Sequence, residues 1–129
     1  TAVRINSKDG LSQTAHQKIR KSRLKRIVEF QVILSPEDRR RHYHVSKRGK
    51  VLEFVEQYET LFHEKWAAVV RYDTAHGFAH RDVLRPDGRA IKIRLAETDY
   101  NEAMTLAIQD LKANWPEYKS NFLRKARKP

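Results

Sequence analysis

Hydrophobic and polar positions along this chain follow two different periods. Residues 27–34 (IVEFQVIL) are dense in β-branched and aromatic side chains and stop at Ser35-Pro36, which predicts a first strand. Apolar runs recur over residues 51–62, 65–73, 79–84 and 90–95, separated by His63-Glu64, by a polar bend around Gly77 and by Pro86-Asp87-Gly88-Arg89. Pro-Asp-Gly between two such runs predicts a tight hairpin, because proline presets one backbone dihedral and glycine accepts a positive φ. The pattern predicts an antiparallel meander of four to five strands. Residues 35–50 (SPEDRRRHYHVSKRGK) sustain no apolar period, so a mobile basic loop is expected there, with at most a short strand over 42–45.

The period then changes to that of a helix. Asp99 and Glu102 are spaced to cap free amides, and Tyr100, Ala103, Met104, Ala107, Ile108 and Leu111 fall on one helical face, which must lie on the sheet. Trp115-Pro116 is expected to break this helix, with a second short helix docking Tyr118, Phe122 and Leu123 before a basic tail. At the other end, Leu11, Ala15 and Ile19 stand four apart among lysines and arginines, which predicts a basic helix over residues 12–26. The expected organisation is a basic N-terminal helix or arm (1–26), one α+β domain (27–116), and a short helix with a basic tail (117–129). At 129 residues a second complete domain is not expected.

Charge adds something that hydropathy does not. The net charge is +11, but residues 1–26 hold eight basic side chains against Asp9 alone, and residues 117–129 hold five against Glu117. The body between them balances 14 basic against 14 acidic residues. Basic arms on a neutral body attract polyanions, and phosphate contacts release counterions, so binding of that kind weakens steeply with salt. Solvated tails, nucleic acid and an acidic protein partner all fit such arms. The residues expected to meet nucleic acid are Lys18, Arg20, Lys21, Arg23, Lys25 and Arg26 in the arm, with Arg39, Arg40, Arg41 and Tyr43 in the body, where cations alternate with a ring that can stack on a base. RNA is expected ahead of DNA. There is no cysteine, which excludes disulfides, thiolate zinc sites and a cysteine nucleophile. Apolar runs fall far short of the ~20 residues of a membrane helix, no signal-peptide pattern follows the basic start, and a cytoplasmic protein without a membrane partner is expected.

Candidate chemistry concentrates in RYDTAHGFAHRD, residues 71–82. If strand pairing continues through this bend, His80 and Asp82 project from one face and Arg81 from the other. Asp73 sits at the mouth of the hairpin and His76 precedes Gly77 in the bend. Metal-free RNA cleavage needs a proton acceptor, a proton donor and a cation for the phosphorane, which His76, His80 and Arg71 or Arg81 can supply, with Asp73 orienting a histidine. Asp73, His76, His80 and Asp82 could instead ligate a divalent metal. In a purely structural reading Asp73 caps the turn and the histidines bond to backbone or carboxylates. No cofactor is expected: Gly-rich phosphate loops, serine-hydrolase elbows and kinase motifs are missing from the sequence.

The stretches VVRYDTAHGFAHRDVLRPDGR and DYNEAMTLAIQDLKANW resemble a small bacterial family of unassigned function whose members carry Tyr-Asp-Thr-Ala-His-Gly-x-x-His-Arg, a Pro-Asp-Gly hairpin and a helix opening Asp-Tyr-Asn. More distantly, the hairpin is similar to the TumE family of toxin–antitoxin proteins, with which it shares a Tyr-Asp pair, a glycine and a His-Arg pair. By position the likeness marks Tyr72, Asp73, Gly77, His80 and Arg81. This chain has a shorter segment between Gly77 and His80, Thr74 where asparagine is usual, and Asp82 where a second histidine is common. The resemblance implies a toxin-like prokaryotic protein controlled by a partner such as an antitoxin. The expected function is toxin-like action on nucleic acid, as a metal-independent ribonuclease. The alternatives are a non-catalytic nucleic-acid-binding or assembly subunit of a ribonucleoprotein or defence complex, and a protein-interaction module.

Overall fold

A computed structural model of the chain describes the backbone of residues 2–6, 12–21, 25–96 and 99–127, and the side chains of the last two of these spans. Among the described residues the fold is α+β, an antiparallel sheet covered on one face by one C-terminal helix. The strands are β1 (Ala2–Asn6), β2 (Ser12–Lys21), β3 (Arg26–Ser35), β4 (Asp38–Lys47), β5 (Lys50–Phe62), β6 (Lys65–Asp73), β7 (His80–Leu84) and β8 (Ala90–Arg94), and the helix is α1 (Tyr100–Ala126). Their spatial order is their chain order, and each strand pairs antiparallel with the next.

The meander is larger than the four to five strands expected. Six strands, β3 to β8, form it within the fully described residues, and the backbone of β1 and β2 extends it to eight. Besides β1, two corrections account for the difference. Residues 38–47 are a full strand rather than a mobile loop. Arg40, His42 and His44 alternate onto one face, and their polar character hid a strand period. The backbone expected to be a basic helix over residues 12–26 runs instead as β2 beside β3, from Ala15 opposite Val32 to Lys21 opposite Arg26; residues 22–24 lie outside those described. A spacing of four, as from Ala15 to Ile19, is even, so it marks one face of a strand as well as one face of a helix.

The turns follow their chemistry. Gly88 takes φ +89° with its amide on the Arg85 carbonyl at 2.9 Å, closing the Pro-Asp-Gly hairpin. His63 and Glu64 both take positive φ and turn β5 into β6 without glycine. Asp99 caps α1 by accepting from the Asn101 amide at 2.8 Å.

The core lies between α1 and strands β5 and β6. Ala103, Ala107 and Leu111 are fully buried against Phe54, Tyr58, Val70 and Tyr72, with Phe122 closing the far end. The expected break at Pro116 does not occur, since α1 runs through it to Ala126. An interior proline removes one helical hydrogen bond and costs about 3 kcal/mol. Packing on both sides of it offsets the loss: Trp115 on Tyr58 with ring centroids 5.8 Å apart, Phe122 edge-on to Phe62 at 5.4 Å, and Lys119 Nζ on Asp38 at 2.9 Å. The basic C-terminal segment is therefore largely the last turns of the long helix.

Candidate functional site

The β6–β7 hairpin divides its polar residues between two faces. Asp73 pairs with His80, Arg71 with Asp82 and Tyr72 with Arg81. Arg71, Asp73, His80 and Asp82 therefore share the face away from α1, and Tyr72 and Arg81 point toward the helix.

Asp73 organises the first group. Its Oδ2 accepts from Arg71 Nε at 2.6 Å, and its Oδ1 accepts from the Ala75 amide at 3.0 Å and lies 3.0 Å from His80 Nε2. Burial alone would raise its pKa, but the Ala75 amide, the Arg71 guanidinium and the charge of His80 outweigh that and hold the carboxyl below the usual range. Arg71 is fixed in turn by donating from Nη1 to Gln57 Oε1 at 2.9 Å. The bend is closed by Gly77 at φ +82°, whose amide reaches the Thr74 carbonyl. Thr74 itself accepts from the Phe54 amide through Oγ1 and ties the bend to β5.

The two histidines of this bend are near each other but in different environments. Their ring centroids are 5.5 Å apart. His76 is exposed, whereas His80 is 1% exposed, covered by His76 and Phe78, with its Nδ1 unpartnered. The ring turns its Nε2 to Asp73, and a substrate cannot reach it without movement of residues 75–79. Asp82 Oδ2 stands 3.8 Å from His80 Nε2, and Lys92 Nζ 3.8 Å from Asp82 Oδ1. Among the described residues, no three or more His, Asp or Glu side chains, these four included, are grouped as ligands of a metal ion.

Arg81, expected beside them, is on the opposite face. Its Nη1 donates to Tyr118 Oη at 3.1 Å, and Tyr118 and Tyr72 both donate to Asp110 Oδ2, at 2.7 and 2.6 Å. Burial and the bond to Asp110 push the Tyr118 hydroxyl up to about 12, and the Tyr72 hydroxyl higher for the same reasons. This network fastens β6 and β7 to α1 and keeps Arg81 from a phosphate on the histidine side.

The expected nucleic-acid contacts in the body also separate. Arg40 is buried and donates from Nη1 to Glu56 Oε1, so it does not reach a ligand. Arg39 lies over the Trp66 ring at 4.1 Å and pairs with Glu59 at 2.5 Å. Arg41 has a half-exposed side chain 3.7 Å from Glu59, and Tyr43 donates to Glu53 at 2.9 Å. Arg41 and Tyr43, with Gln57 and Arg71, line a shallow groove of about 360 Å³ on the face away from α1. Of the arm, Lys18, Arg20 and Lys21 fall on the β2 backbone, Arg23 lies outside the described residues, and Lys25 and Arg26 are exposed.

One polar group was not anticipated from the sequence. Glu56, with no exposed surface, accepts from Arg40 through Oε1 and faces His42 Nδ1 through Oε2, while His42 Nε2 lies 2.6 Å from His44 Nδ1. Phe30 stacks on the His42 ring at 4.6 Å. Burial first, then the charges of His42 and Arg26, lower the His44 pKa against an opposing pull from Glu56. The signal was in the sequence: His-x-His on a strand puts both rings on one face.

Comparison with curated proteins returned no match, and comparison with solved structures returned none either. Residues 15–128 match the model of a family described as "Domain of unknown function (DUF7718)", a span that takes in β3 to β8, the hairpin and α1, and the chain belongs to that family.

Proposed function

We propose that the protein is a toxin-like RNA-binding protein of the cytoplasm, whose basic terminal segments hold the polymer against a neutral α+β body, and that a cognate protein partner controls it. The supporting observation is the charge distribution: the net charge of +11 comes from residues 1–26 and 117–129, around a body that balances 14 against 14. Nucleic acid is the polyanion such segments meet with an affinity that salt release makes large. No helix among the described residues is long and apolar enough to cross a membrane. Binding is favoured over two-histidine catalysis because His80 is 1% exposed and held by Asp73. A pair that works on a phosphodiester needs both rings open to it.

Ribonuclease activity without a metal is the second reading. It is favoured by one feature, the exposed His76 ring 5.5 Å from a histidine that a carboxylate holds. In that reading His76 exchanges the proton with substrate, Arg71 attracts the phosphate, and Asp73 and His80 position the loop. A labelled single-stranded RNA incubated with the protein, with and without chelator, decides between the two. Retention of intact RNA in a complex that loses its salt dependence when residues 1–26 are deleted supports binding. Product that persists with chelator and vanishes in His76→Ala supports cleavage. Absence of any complex at low salt overturns both.

A further inference from the structure

Among the described residues, a large cavity lies beside the hairpin, against Gly77, Phe78 and Ala79. It is a cleft of about 1040 Å³ between the β4–β5 turn, the loop at Gly77, Phe78 and Ala79, the end of β8 and the start of α1. Its volume is at the upper end of the roughly 300–1,000 Å³ typical of small-molecule sites.

The lining has a distinct chemistry. Arg48, Lys50 and Arg94 bring three cations, and none of them forms an ion pair among the described residues. The described acidic residue in the lining is Asp99, whose carboxylate is already engaged at the Asn101 amide. Two rings complete it. Phe78 carries the Arg94 guanidinium at 4.5 Å from its centroid, and Tyr100 is steadied edge-on against Phe54 at 6.5 Å.

The backbone of the turn that carries two of the cations is held in place. Asn101 Oδ1 accepts from the Val51 amide at 2.9 Å and its Nδ2 donates to the Gly49 carbonyl at 2.9 Å, so the helix start clamps the turn that bears Arg48 and Lys50. Two cations on one anchored turn suit a phosphate. A guanidinium plane stacked on a ring, with a second ring nearby, is a platform for a base. Bases within a duplex have no free face, so such a platform can serve only an unpaired nucleotide.

We infer that this cleft is a nucleotide subsite for single-stranded nucleic acid, with Arg94 on Phe78 stacking a base and Arg48 and Lys50 meeting the adjoining phosphate. The inference rests on the RNA-binding reading above and adds to it the form of the polymer and the residues that grip it.

The test is fluorescence anisotropy with labelled strands of about ten nucleotides, as single-stranded RNA, single-stranded DNA and duplex. Arg48, Lys50 and Arg94 are all exposed, so their alanine variants keep the fold, which circular dichroism checks. Arg94→Ala is expected to weaken single-strand binding about tenfold or more at fixed salt. Arg48→Ala combined with Lys50→Ala is expected to lower the slope of log affinity against log salt by about 1.4, at ~0.7 per contact. Lys112→Ala, exposed on α1 outside the cleft lining, leaves binding unchanged. Equal affinity for RNA and DNA strands, or a preference for RNA, both support the subsite and differ only in which strand it takes. If the wild-type protein binds single strands and Arg94→Ala stays within about twofold of it, the subsite is overturned and the RNA-binding reading stands. Duplex bound as tightly as single strand, with the same loss in Arg94→Ala, also overturns it. No binding of any strand at low salt removes the reading and the subsite together.

Discussion

Glu56 and His42 face each other across the β4–β5 ladder with Oε2 against Nδ1, and both are closed to solvent, at 0% and 4% exposure. Arg40 occupies the other carboxylate oxygen, so one buried anion neutralises a cation and orients an imidazole. The line continues from His42 Nε2 to His44 Nδ1, 2.6 Å away. The order of charges along this line is fixed by the register of two strands.

Removing that anion leaves Arg40 buried without its partner. Glu56→Ala is therefore expected to lose roughly 3–5 kcal/mol of stability, in the range seen when one member of a buried ion pair is deleted. Glu56→Gln, which keeps an acceptor and the volume, should lose less. Urea unfolding of the three proteins measures this. A loss in Glu56→Ala of under about 1 kcal/mol, the range of a solvent-exposed pair, would mean that the cluster is open to water and the register argument is wrong.

Acid should unfold the protein in two stages. The folded pKa of His44 is lowered, chiefly by burial, so the unfolded chain binds its proton at a higher pH than the folded one. That stabilising contribution is complete above the unfolded value near 6.5, and it is lost as pH falls through the folded value. Asp38 and Asp73 are also lowered, because hydrogen bonds and cations outweigh their burial, and their contribution is lost only below about pH 4. His44→Gln should flatten the loss of stability that begins as pH falls below about 6.5 and leave the lower stage in place. Asp73→Asn should reduce the lower stage and leave the upper one. Denaturant titrations at stepped pH decide it, and a single stage unaffected by His44→Gln would contradict the assignment.

The two halves of the chain were legible to different degrees. From Lys50 to Arg94 the apolar alternation and the turn residues placed four strands to within a residue or so, because there each period has a hydrophobic face to mark it. The face split of the hairpin was legible for the same reason, and Arg81 fell opposite His80 as alternation requires. β4 was hidden because its buried face carries Arg40 and His42, whose burial depends on Glu56 from another strand. Pro116 misled because a local rule was overridden by packing on both sides of it. That His80 is sealed and His76 open depends on how residues 75–79 fold over the sheet, which no spacing encodes.

Pro116 offers a direct measure of that override. Replacing it restores an amide opposite the Lys112 carbonyl within an exposed stretch of α1 without disturbing Trp115 or Phe122. Pro116→Ala is expected to stabilise the protein by about 1–3 kcal/mol, up to the full difference in helix propensity, and to raise the midpoint of urea unfolding. A neutral or destabilising result would show that the ring itself contributes packing or that the bend it imposes is what seats Phe122.

His76 and His80 should separate cleanly as variants, and this decides how any activity test is read. His80 is 1% exposed and paired with Asp73, so His80→Ala opens a cavity and strips a partner from a buried carboxylate. A loss of roughly 2–5 kcal/mol follows from those two effects together. His76 is exposed and touches its neighbours only through ring contacts, so His76→Ala should stay within about 0.5 kcal/mol of wild type. Loss of function in His80→Ala would then report unfolding as readily as chemistry, whereas loss in His76→Ala could not be ascribed to stability. His80→Asn, smaller but still able to donate to Asp73, should recover part of the stability. If His80→Ala proves as stable as wild type, the ring is not a structural element of the hairpin, and the case for a working histidine pair would be restored.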